Sequence, residues 1–425
     1  MDSGKQSAID GRDDNPYKVP TPKRLPARDP MLYTPAFWAM FVANLSNVAS
    51  FGAYFLFPLY VSGHGGSKGD IGVVMGIFAL ASAACRPWVA EMIDRLGRKR
   101  SFTLGSLGMT LLPLAYLPFS GDLQDFYLPL LAVRAAHGVA LAICFTAVFT
   151  YVADIIPGER INEGIGMFGI SGLVGMALGP VLGEWSINLG GGFTPFFLLS
   201  AALAGLGLLS HLPLAETGTG RGNIHGPSFF TLLSRRKLAV VGLLSLIFGI
   251  GLAATGNFVT PLAQQRQIPF ISLYYLLYSV AAVLVRFVGG RLADRVGENR
   301  MLPYALVVTA AGSFCLITVA GSPSLGLAGL VAGAGHGLLF PILNTLAIRN
   351  EPAEIRGKVT GIFTGGIDSG AFVGSLILGY VGELAGFGAL FTVSGLVVLS
   401  GLAIFRFRPG GLERGQGISP RVAPK

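Results

Sequence analysis

Residues 85–100 read CRPWVAEMIDRLGRKR, and residues 285–300 read VRFVGGRLADRVGENR. In both copies an Arg precedes an Asp by eight positions, and the Asp is followed by Arg-x-Gly. Each copy also closes a long apolar segment. A motif that recurs after about 200 residues in an apolar chain indicates two related halves, and many membrane transporters are built this way with a substrate path between the halves.

The composition predicts an all-α membrane protein. The chain is 52% hydrophobic and only 12% charged, whereas a soluble domain carries about 25% charged residues. Its apolar runs repeatedly reach the roughly 20 residues that a helix needs to cross a bilayer. The 61 glycines fit this class, because membrane helices approach one another through small residues. The three cysteines lie in apolar segments without disulfide or metal-ligand spacing, so we expect no metal site and no cofactor.

Hydropathy and charge placement predict twelve transmembrane spans with both termini in the cytoplasm. Of the 31 Lys and Arg residues, 26 lie on the side of the termini, three lie within spans, and only Lys68 and Arg266 lie on the opposite side. This asymmetry follows the positive-inside rule and predicts a multi-pass protein of the plasma or inner membrane. Nucleic-acid binding is not expected, because a basic face for phosphates would not alternate loop by loop. The spans are placed at residues 36–62, 70–92, 101–120, 125–154, 162–188, 192–212, 238–263, 269–291, 302–320, 324–349, 358–384 and 386–406.

The repeat extends through both halves. His137 matches His336 and Glu184 matches Glu383, each pair 199 residues apart. Each half therefore holds six spans in the same order and the same orientation. The resulting domain prediction is a disordered cytoplasmic tail at 1–35, a six-helix bundle at 36–212, a cytoplasmic linker at 213–237, a second six-helix bundle at 238–406 and a cytoplasmic tail at 407–425.

Two further motifs, together with the repeated loop, make residues 36–406 resemble the major facilitator superfamily. Residues 134–138 read RAAHG in span 4. Residues 175–183 in span 5 read GMALGPVLG, which is similar to the antiporter-type motif of exporters in this superfamily. Residues 361–386 also resemble its arabinose-efflux-permease and metallophore-exporter branch. The resemblance implies two six-helix pseudo-repeat bundles that rock about a central cavity. The matching positions of the antiporter-type motif are Gly175, Gly179, Pro180 and Gly183.

The resemblance assigns a gating role to the repeated loop. In the family, the Asp accepts hydrogen bonds from the N-terminus of a neighbouring helix and steadies the outward-facing state. The family pattern also has a Gly four residues before this Asp, which Gly290 matches and Ala90 does not. Glu298 and Asn299 replace the basic pair in the second copy, so we expect that copy to be the weaker gate. The expected gating residues are Asp94, Arg95, Gly97, Arg98, Asp294 and Gly297.

Asp368 is the only acid near the centre of a predicted span, and a charge at that depth is costly enough to indicate a function. It lies roughly 15 Å from the cytoplasmic end, and Arg86 lies about 12 Å deep. A low-dielectric site favours the protonated acid, as proton coupling requires; a permanent ion pair that locks helices is the alternative. Spans 2 and 11 are neighbours in the resembled fold. The residues therefore predict a latch between the halves, formed by Arg86 and Asp368 and weakened when Asp368 is protonated.

Arg286 is the repeat mate of Arg86, but Gly169 occupies the place in the first half that Asp368 occupies in the second. Arg286 therefore lacks the equivalent acid. It either anchors an anionic group of the substrate, which the guanidinium suits, or it hydrogen-bonds backbone carbonyls or extends to the cytoplasmic interface.

Arg134 opens the motif in span 4, and the resemblance links this Arg with proton coupling. The alternative is a packing contact with polar groups of span 1, at Asn44 or Asn47. His137 and His336 are candidates for substrate contact and could titrate near neutral pH, but a packing role fits them equally well. We expect Glu184 and Glu383 at the outer surface. The remaining candidates for substrate contact, each of which could instead form an interhelical hydrogen bond, are Asn44, Asn47, Asn257 and Asn344.

These features predict proton-coupled export of a small organic molecule by alternating access. The predicted partners are a small-molecule substrate, protons and the lipid bilayer, and a monomer is expected. The first alternative is an importer or facilitator of a sugar or organic acid without proton exchange. The second is a sensor or scaffold that has lost transport. An enzyme is not expected, because the sequence contains no nucleophile–base pair, metal cluster or phosphate loop.

Overall fold

The chain forms helices throughout the part that the structure describes. The computed structural model describes residues 31–217, 227–352 and 355–406. Within these ranges, the side chains left undescribed are those of Glu159, Asn162, Arg356 and residues 287–295. Every regular element in the described ranges is a helix, in agreement with the all-α prediction. By length and composition, nine of the described helices could cross a membrane.

Six spans form the first bundle. Span 1 covers Pro35–Gly63 and is interrupted by a 3-10 turn at Tyr54–Leu56. Span 3 consists of the helix Arg98–Leu111 and the 3-10 turn Leu112–Tyr116. The other helices of this bundle are Lys68–Leu96 (span 2), Leu123–Ile155 (span 4), Ile161–Asn188 (span 5) and Phe193–His211 (span 6).

The second bundle repeats this order. Spans 11 and 12 form one helical run, Arg356–Arg406, which breaks at Gly386. Gly386 has φ of +80°, a conformation that glycine adopts without steric cost, so the chain turns there without a separate loop. The remaining helices are Arg236–Gln265 (span 7), Leu273–Val296 (span 8), Glu298–Ile317 (span 9) and Ser322–Ile348 (span 10).

The repeated motif lies on helices rather than in loops. Hydropathy predicts that spans 2 and 8 end at residues 92 and 291. In the structure these helices continue to Leu96 and Val296. Gly97 and Gly297 then end these helices with φ of +96° and +90°. Residues with a Cβ rarely adopt this conformation, which explains the Gly in each copy of the motif.

The start of span 2 is fixed by a reciprocal cap between Ser67 and Asp70. The Ser67 hydroxyl accepts from the backbone N–H of Asp70 at 3.1 Å, and the Asp70 carboxylate accepts from the backbone N–H of Ser67 at 2.9 Å. These bonds satisfy donors that a helix start would otherwise leave unpaired. Span 2 consequently begins at a defined residue beside the second bundle.

The two bundles contact each other along spans 2 and 11, along spans 5 and 8, and at the ends of spans 1 and 7. Glycines permit the closest crossings. A Cβ on Gly72 of span 2 would lie 2.4 Å from the carbonyl oxygen of Ser375 in span 11. Small residues allow membrane helices to pack at this distance. The fold therefore places spans 2 and 11 side by side, as the predicted latch requires.

An apolar core shared by both bundles lies towards one membrane face. We call this face, which carries the loops at 64–67 and 266–272, the far face; the opposite face, which carries the two described chain ends, is the terminal face. Phe57 and Tyr60 of the first bundle belong to the same buried cluster as Phe258 and Tyr275 of the second. The far face is therefore closed by side-chain packing.

Candidate functional site

Arg86 of span 2 and Asp368 of span 11 form an ion pair between the bundles. Nε and Nη2 of Arg86 donate to Oδ2 of Asp368 at 2.8 and 2.5 Å, and the hydroxyl of Ser82 donates to the same oxygen at 2.9 Å. The side chains of Arg86 and Asp368 are 16% and 21% exposed. Three donors on one oxygen stabilise the ionised carboxylate, while Oδ1 accepts no hydrogen bond from the described residues. The predicted contact between the halves is thus present.

Arg286 lies at the matching place between spans 8 and 5, where no carboxylate of the described residues pairs with it. Its Nε is buried without a hydrogen-bond partner. A Cβ on Gly169 would lie 3.7 Å from its Nη1, and the guanidinium lies 5.4 Å from the ring centre of Phe340. Among the described contacts, Arg286 donates no hydrogen bond to a backbone carbonyl, and its role as an anchor for a substrate anion stays a prediction. Among the described residues, one of these two equivalent arginines thus has a carboxylate partner and the other has none.

Arg134 is 1% exposed and lies among aromatic rings within the first bundle. Its guanidinium carbon is 4.5 Å from the ring centre of Phe78, 5.0 Å from Phe57 and 5.5 Å from Tyr54. Its Nη1 has no hydrogen-bond partner among the described residues. The expected contact with span 1 exists, but it uses ring faces rather than the amides that the sequence suggested. Cation–π contacts can stabilise a desolvated guanidinium by about 2 kcal/mol.

The two repeated histidines lie inside their bundles and contact tyrosines. Nδ1 of His137 is 3.4 Å from the Tyr116 hydroxyl, and Nδ1 of His336 is 2.5 Å from the Tyr278 hydroxyl. The ring of His336 also stacks on Phe340 at 5.7 Å. His336 and Tyr278 line a small cavity whose walls combine the apolar side chains of Phe248 and Leu252 with hydroxyl groups such as that of Thr255. Within the described ranges, no group of three metal-ligand side chains occurs.

Three of the four predicted asparagines form buried hydrogen bonds between helices. Each is at most 9% exposed, and a substrate could reach the amide only by breaking its bond. In this conformation the three amides therefore serve helix packing, the alternative that the sequence left open, and their contact with substrate stays a prediction. Asn344 is half-buried and has no hydrogen bond among the described contacts, so it stays a candidate. The bonded pairs are Asn44–Ser171 (2.7 Å), Asn47–Ser106 (3.2 Å) and Asn257–Ser375 (2.7 Å).

The antiporter-type motif forms the contact surface of span 5 with span 1. A Cβ on Gly179 would lie 2.3 Å from the carbonyl oxygen of Ala49, and one on Gly175 would lie 2.7 Å from that of Leu45. Real Cβ atoms do not approach other atoms so closely, so both positions require glycine. The motif determines how closely these two helices pack.

Glu216, not Asp94, binds the start of span 3. Asp94 is exposed and has no partner among the described side chains. The Glu216 carboxylate accepts from the backbone N–H groups of Lys99 at 2.7 Å and Arg100 at 3.0 Å, where the helix dipole favours an anion. A Cβ on Gly97 would lie 2.5 Å from this carboxyl group. The expected contact at this helix start exists, but Glu216, just beyond span 6, makes it instead of Asp94. In the sequence, the only sign of this role is that Glu216 follows the apolar run of span 6.

Ion pairs at the terminal face join helices within each bundle. Arg98 at the start of span 3 pairs with Asp154 near the end of span 4 at 3.1 Å. Glu298 at the start of span 9 pairs with Arg349 just after span 10 at 2.8 Å. The charges are reversed between the two pairs, so the second copy of the motif keeps the contact although its basic residue is replaced.

Arg95, another predicted gating residue, makes no contact between the bundles among the described residues. Arg95 is exposed and pairs with Glu91 one turn earlier in span 2. Exposed pairs of this kind contribute little to stability. The side chain of Asp294 lies outside the described residues.

At the far face, two glutamates bind helix starts in the opposite bundle. The carboxylate of Glu184 accepts from the backbone N–H groups of Ile271 at 2.9 Å and Ser272 at 2.8 Å. Glu383 accepts from the backbone N–H of Lys68 at 2.9 Å. The predicted surface position is wrong for Glu184, which is half-buried, whereas Glu383 is exposed as expected.

The described structure is closed at the far face. The hydroxyl of Thr260 donates to the backbone oxygen of Phe55 at 2.7 Å, and the rings of Phe55 and Tyr275 stack at 5.0 Å across the two bundles. Among the described residues, every hydrogen bond or ion pair between the bundles lies on this side or at Arg86–Asp368.

Comparisons with known proteins agree with this architecture. The multidrug resistance protein MdtG of Serratia proteamaculans is 28% identical over 360 residues, covering 80% of this chain and 85% of that protein. MdtG of Enterobacter lignolyticus is 29% identical over 370 residues, covering 84% and 86%. The crystal structure of the nucleoside transporter NupG matches the fold with a TM-score of 0.70 at 15% identity, covering 88% of this chain and all of that one. The sequence profile of the Major Facilitator Superfamily matches residues 38–350 and 241–421, and the chain belongs to this family.

Proposed function

We propose that this protein exports a small organic molecule in exchange for protons, by alternating access between its two bundles. Members of its family are membrane transporters rather than enzymes, and its MdtG relatives are named as multidrug resistance proteins, which favours export. The ion pair of Arg86 and Asp368 carries the proposal, because it places an acid at the contact between the two halves.

Asp368 is the proposed proton carrier. As a carboxylate it holds Arg86 and Ser82 and keeps spans 2 and 11 together. A proton on its carboxyl group removes the negative charge and weakens the charge-assisted bonds. Arg86 is then left as an unpaired cation at low dielectric, which favours separation of the two helices and hydration of the guanidinium.

The proposed cycle follows from the charge asymmetry of the loops. With both termini in the cytoplasm, the far face is the outer side, and the described conformation is closed to the outside. Asp368 takes up a proton in the outward-open state and releases it to the cytoplasm after the bundles rock. One chain contains both halves of this device, so a monomer is the proposed transport unit.

Purified protein in liposomes with a pH-sensitive dye inside tests the proposal. We would impose a proton gradient and add cationic dyes, antibiotics and small metabolites one at a time. Proton movement that requires both the protein and a substrate is the expected result. Substrate flux without proton movement would instead establish a facilitator, and binding without flux would establish a sensor.

A further inference from the structure

We propose that the substrate carries an anionic group, a carboxylate or a phosphonate, that binds Arg286 between spans 8 and 5. The inference rests on the proposed function, because it names the class of molecule that this transporter carries. It starts from the asymmetry between two matching places in the repeat.

The two places differ by one carboxylate. Arg86 has Asp368 across the bundle contact, with donor–acceptor distances of 2.8 and 2.5 Å. Arg286 has Gly169 at the corresponding position. A Cβ on Gly169 would lie 3.7 Å from Nη1 of Arg286. That distance is ordinary van der Waals contact, so Gly169 leaves open the position that a carboxyl-bearing side chain would fill.

An arginine at this depth is costly when no carboxylate of the described residues pairs with it. Its buried Nε has no hydrogen-bond partner, and the described contacts include no hydrogen bond for the rest of the guanidinium. Removal of such a cation from water requires an anion or several acceptors to offset it. The planar guanidinium binds carboxylate and phosphonate groups through two parallel N–H bonds. A bound ligand anion would therefore provide the negative charge that no described side chain places beside Arg286.

The surroundings of Arg286 suit an organic anion with an aromatic or apolar body. The guanidinium lies over the ring of Phe340, and that ring stacks on His336 with an interplanar angle of 7°. Beyond His336, Tyr278 and Thr255 border the small cavity of the second bundle, whose walls are mixed polar and apolar. A ring attached to the anion would have aromatic faces to contact beside its anchoring group.

The bound anion would bridge spans 8 and 5 as Asp368 bridges spans 11 and 2. One side of the bundle contact would then close when a proton leaves, and the other when a substrate enters. Both events act on the same rigid-body movement, so substrate and proton would bias it in a coupled manner.

Substitution of Gly169 tests the site by supplying the missing acid. Benzoate, phenylphosphonate and neutral benzamide would be titrated against purified protein in phosphatidylcholine nanodiscs by calorimetry. We expect Gly169→Asp and Arg286→Gln to weaken binding of both anions by about tenfold or more, the scale of one charge-assisted pair. Gly172→Ala on the same helix should stay within about twofold, because its Cβ would meet nothing closer than the Asn44 side-chain nitrogen at 3.8 Å. Gly169→Asn controls for the size of the Asp side chain without its charge.

Each result supports or overturns the site. Anion binding that is absent in the wild type, unchanged in a folded Gly169→Asp variant, or matched by benzamide would overturn it. Anion binding that disappears when phosphatidylglycerol is added would assign Arg286 to a lipid headgroup instead. Anion binding without any flux in liposomes rejects the exporter and keeps the site. Proton-coupled flux of cationic or neutral compounds alone rejects the site and keeps the exporter.

Discussion

Glu184 and Glu383 occupy matching places at the ends of spans 5 and 11, and each accepts one or two backbone N–H bonds at, or just before, the start of a helix in the opposite bundle. Each acid thus satisfies backbone donors that have no partner within their own helix and interacts favourably with its dipole. Because the two places are related by the repeat, the far face is closed by a pair of equivalent contacts, one beside span 8 and one beside span 2.

Loss of the Glu184 charge should open the far face. Glu184→Gln keeps one acceptor but replaces two charge-assisted bonds, which we expect to destabilise the closed state by about 1 kcal/mol and to raise the open population about fivefold. Spin labels on Asn188 and Phe270, in a variant without native cysteines, would report the separation of spans 5 and 8 by pulsed electron resonance. The variant should add a population with a longer label distance.

A matched control uses a glutamate that makes no contact between bundles. Glu91 pairs with Arg95 within span 2, so Glu91→Gln should leave the label distances unchanged. Glu383→Gln should have a smaller effect than Glu184→Gln, because Glu383 is exposed and accepts one backbone bond. An unchanged distance distribution in Glu184→Gln would show that apolar packing alone closes this face.

The antiporter-type motif should act through helix packing. Gly179→Ala would place a Cβ 2.3 Å from the Ala49 carbonyl, which forces spans 5 and 1 apart at a cost of about 1–3 kcal/mol. We expect a lower melting temperature and reduced flux. Gly172→Ala on the same helix is the control, because its Cβ would meet nothing closer than 3.8 Å, the Asn44 side-chain nitrogen. Equal melting temperatures for both variants would contradict this account of the motif.

The hydrogen bond between Asn257 and Ser375 should stabilise the fold without contacting substrate. A double-mutant cycle of Asn257→Ala and Ser375→Ala, read from the free energy of unfolding, should give a coupling of about 0.6 kcal/mol and at most about 1.7. Substrate affinity should not change in either folded variant. If Asn257→Ala selectively loses substrate affinity, Asn257 contacts the substrate, which would contradict a role in packing alone.

The repeat allowed much of the fold to be predicted, because hydropathy and the duplicated motif are properties of local sequence. The spans, the break near 385 and the proximity of Arg86 to Asp368 all follow from periodicity, from the repeat offset and from the family resemblance. Gly169 opposite Arg286 follows from the same offset. These predictions needed the register of helices, not the positions of individual side chains.

The contacts that the sequence missed depend on three-dimensional neighbours. Asn257 reads as polar and membrane-embedded whether it faces a cavity or Ser375, and only packing decides between them. Asp94 belongs to the loop motif, yet Glu216 from a distant segment reaches the helix start that Asp94 was expected to bind. In the sequence, Glu184 resembles a surface acid. In the structure, two backbone N–H groups of the opposite bundle donate to its carboxylate.

The most direct measurement of the central claim compares uphill and downhill transport in liposomes for wild type, Asp368→Asn and Asp368→Glu. Asp368→Asn cannot exchange a proton but retains a side chain of the same size, so it should catalyse substrate exchange at equilibrium while losing accumulation driven by a proton gradient. Asp368→Glu should keep part of the driven transport. Proton-driven accumulation that persists undiminished in Asp368→Asn would contradict the account and leave the Arg86–Asp368 pair as a structural contact only.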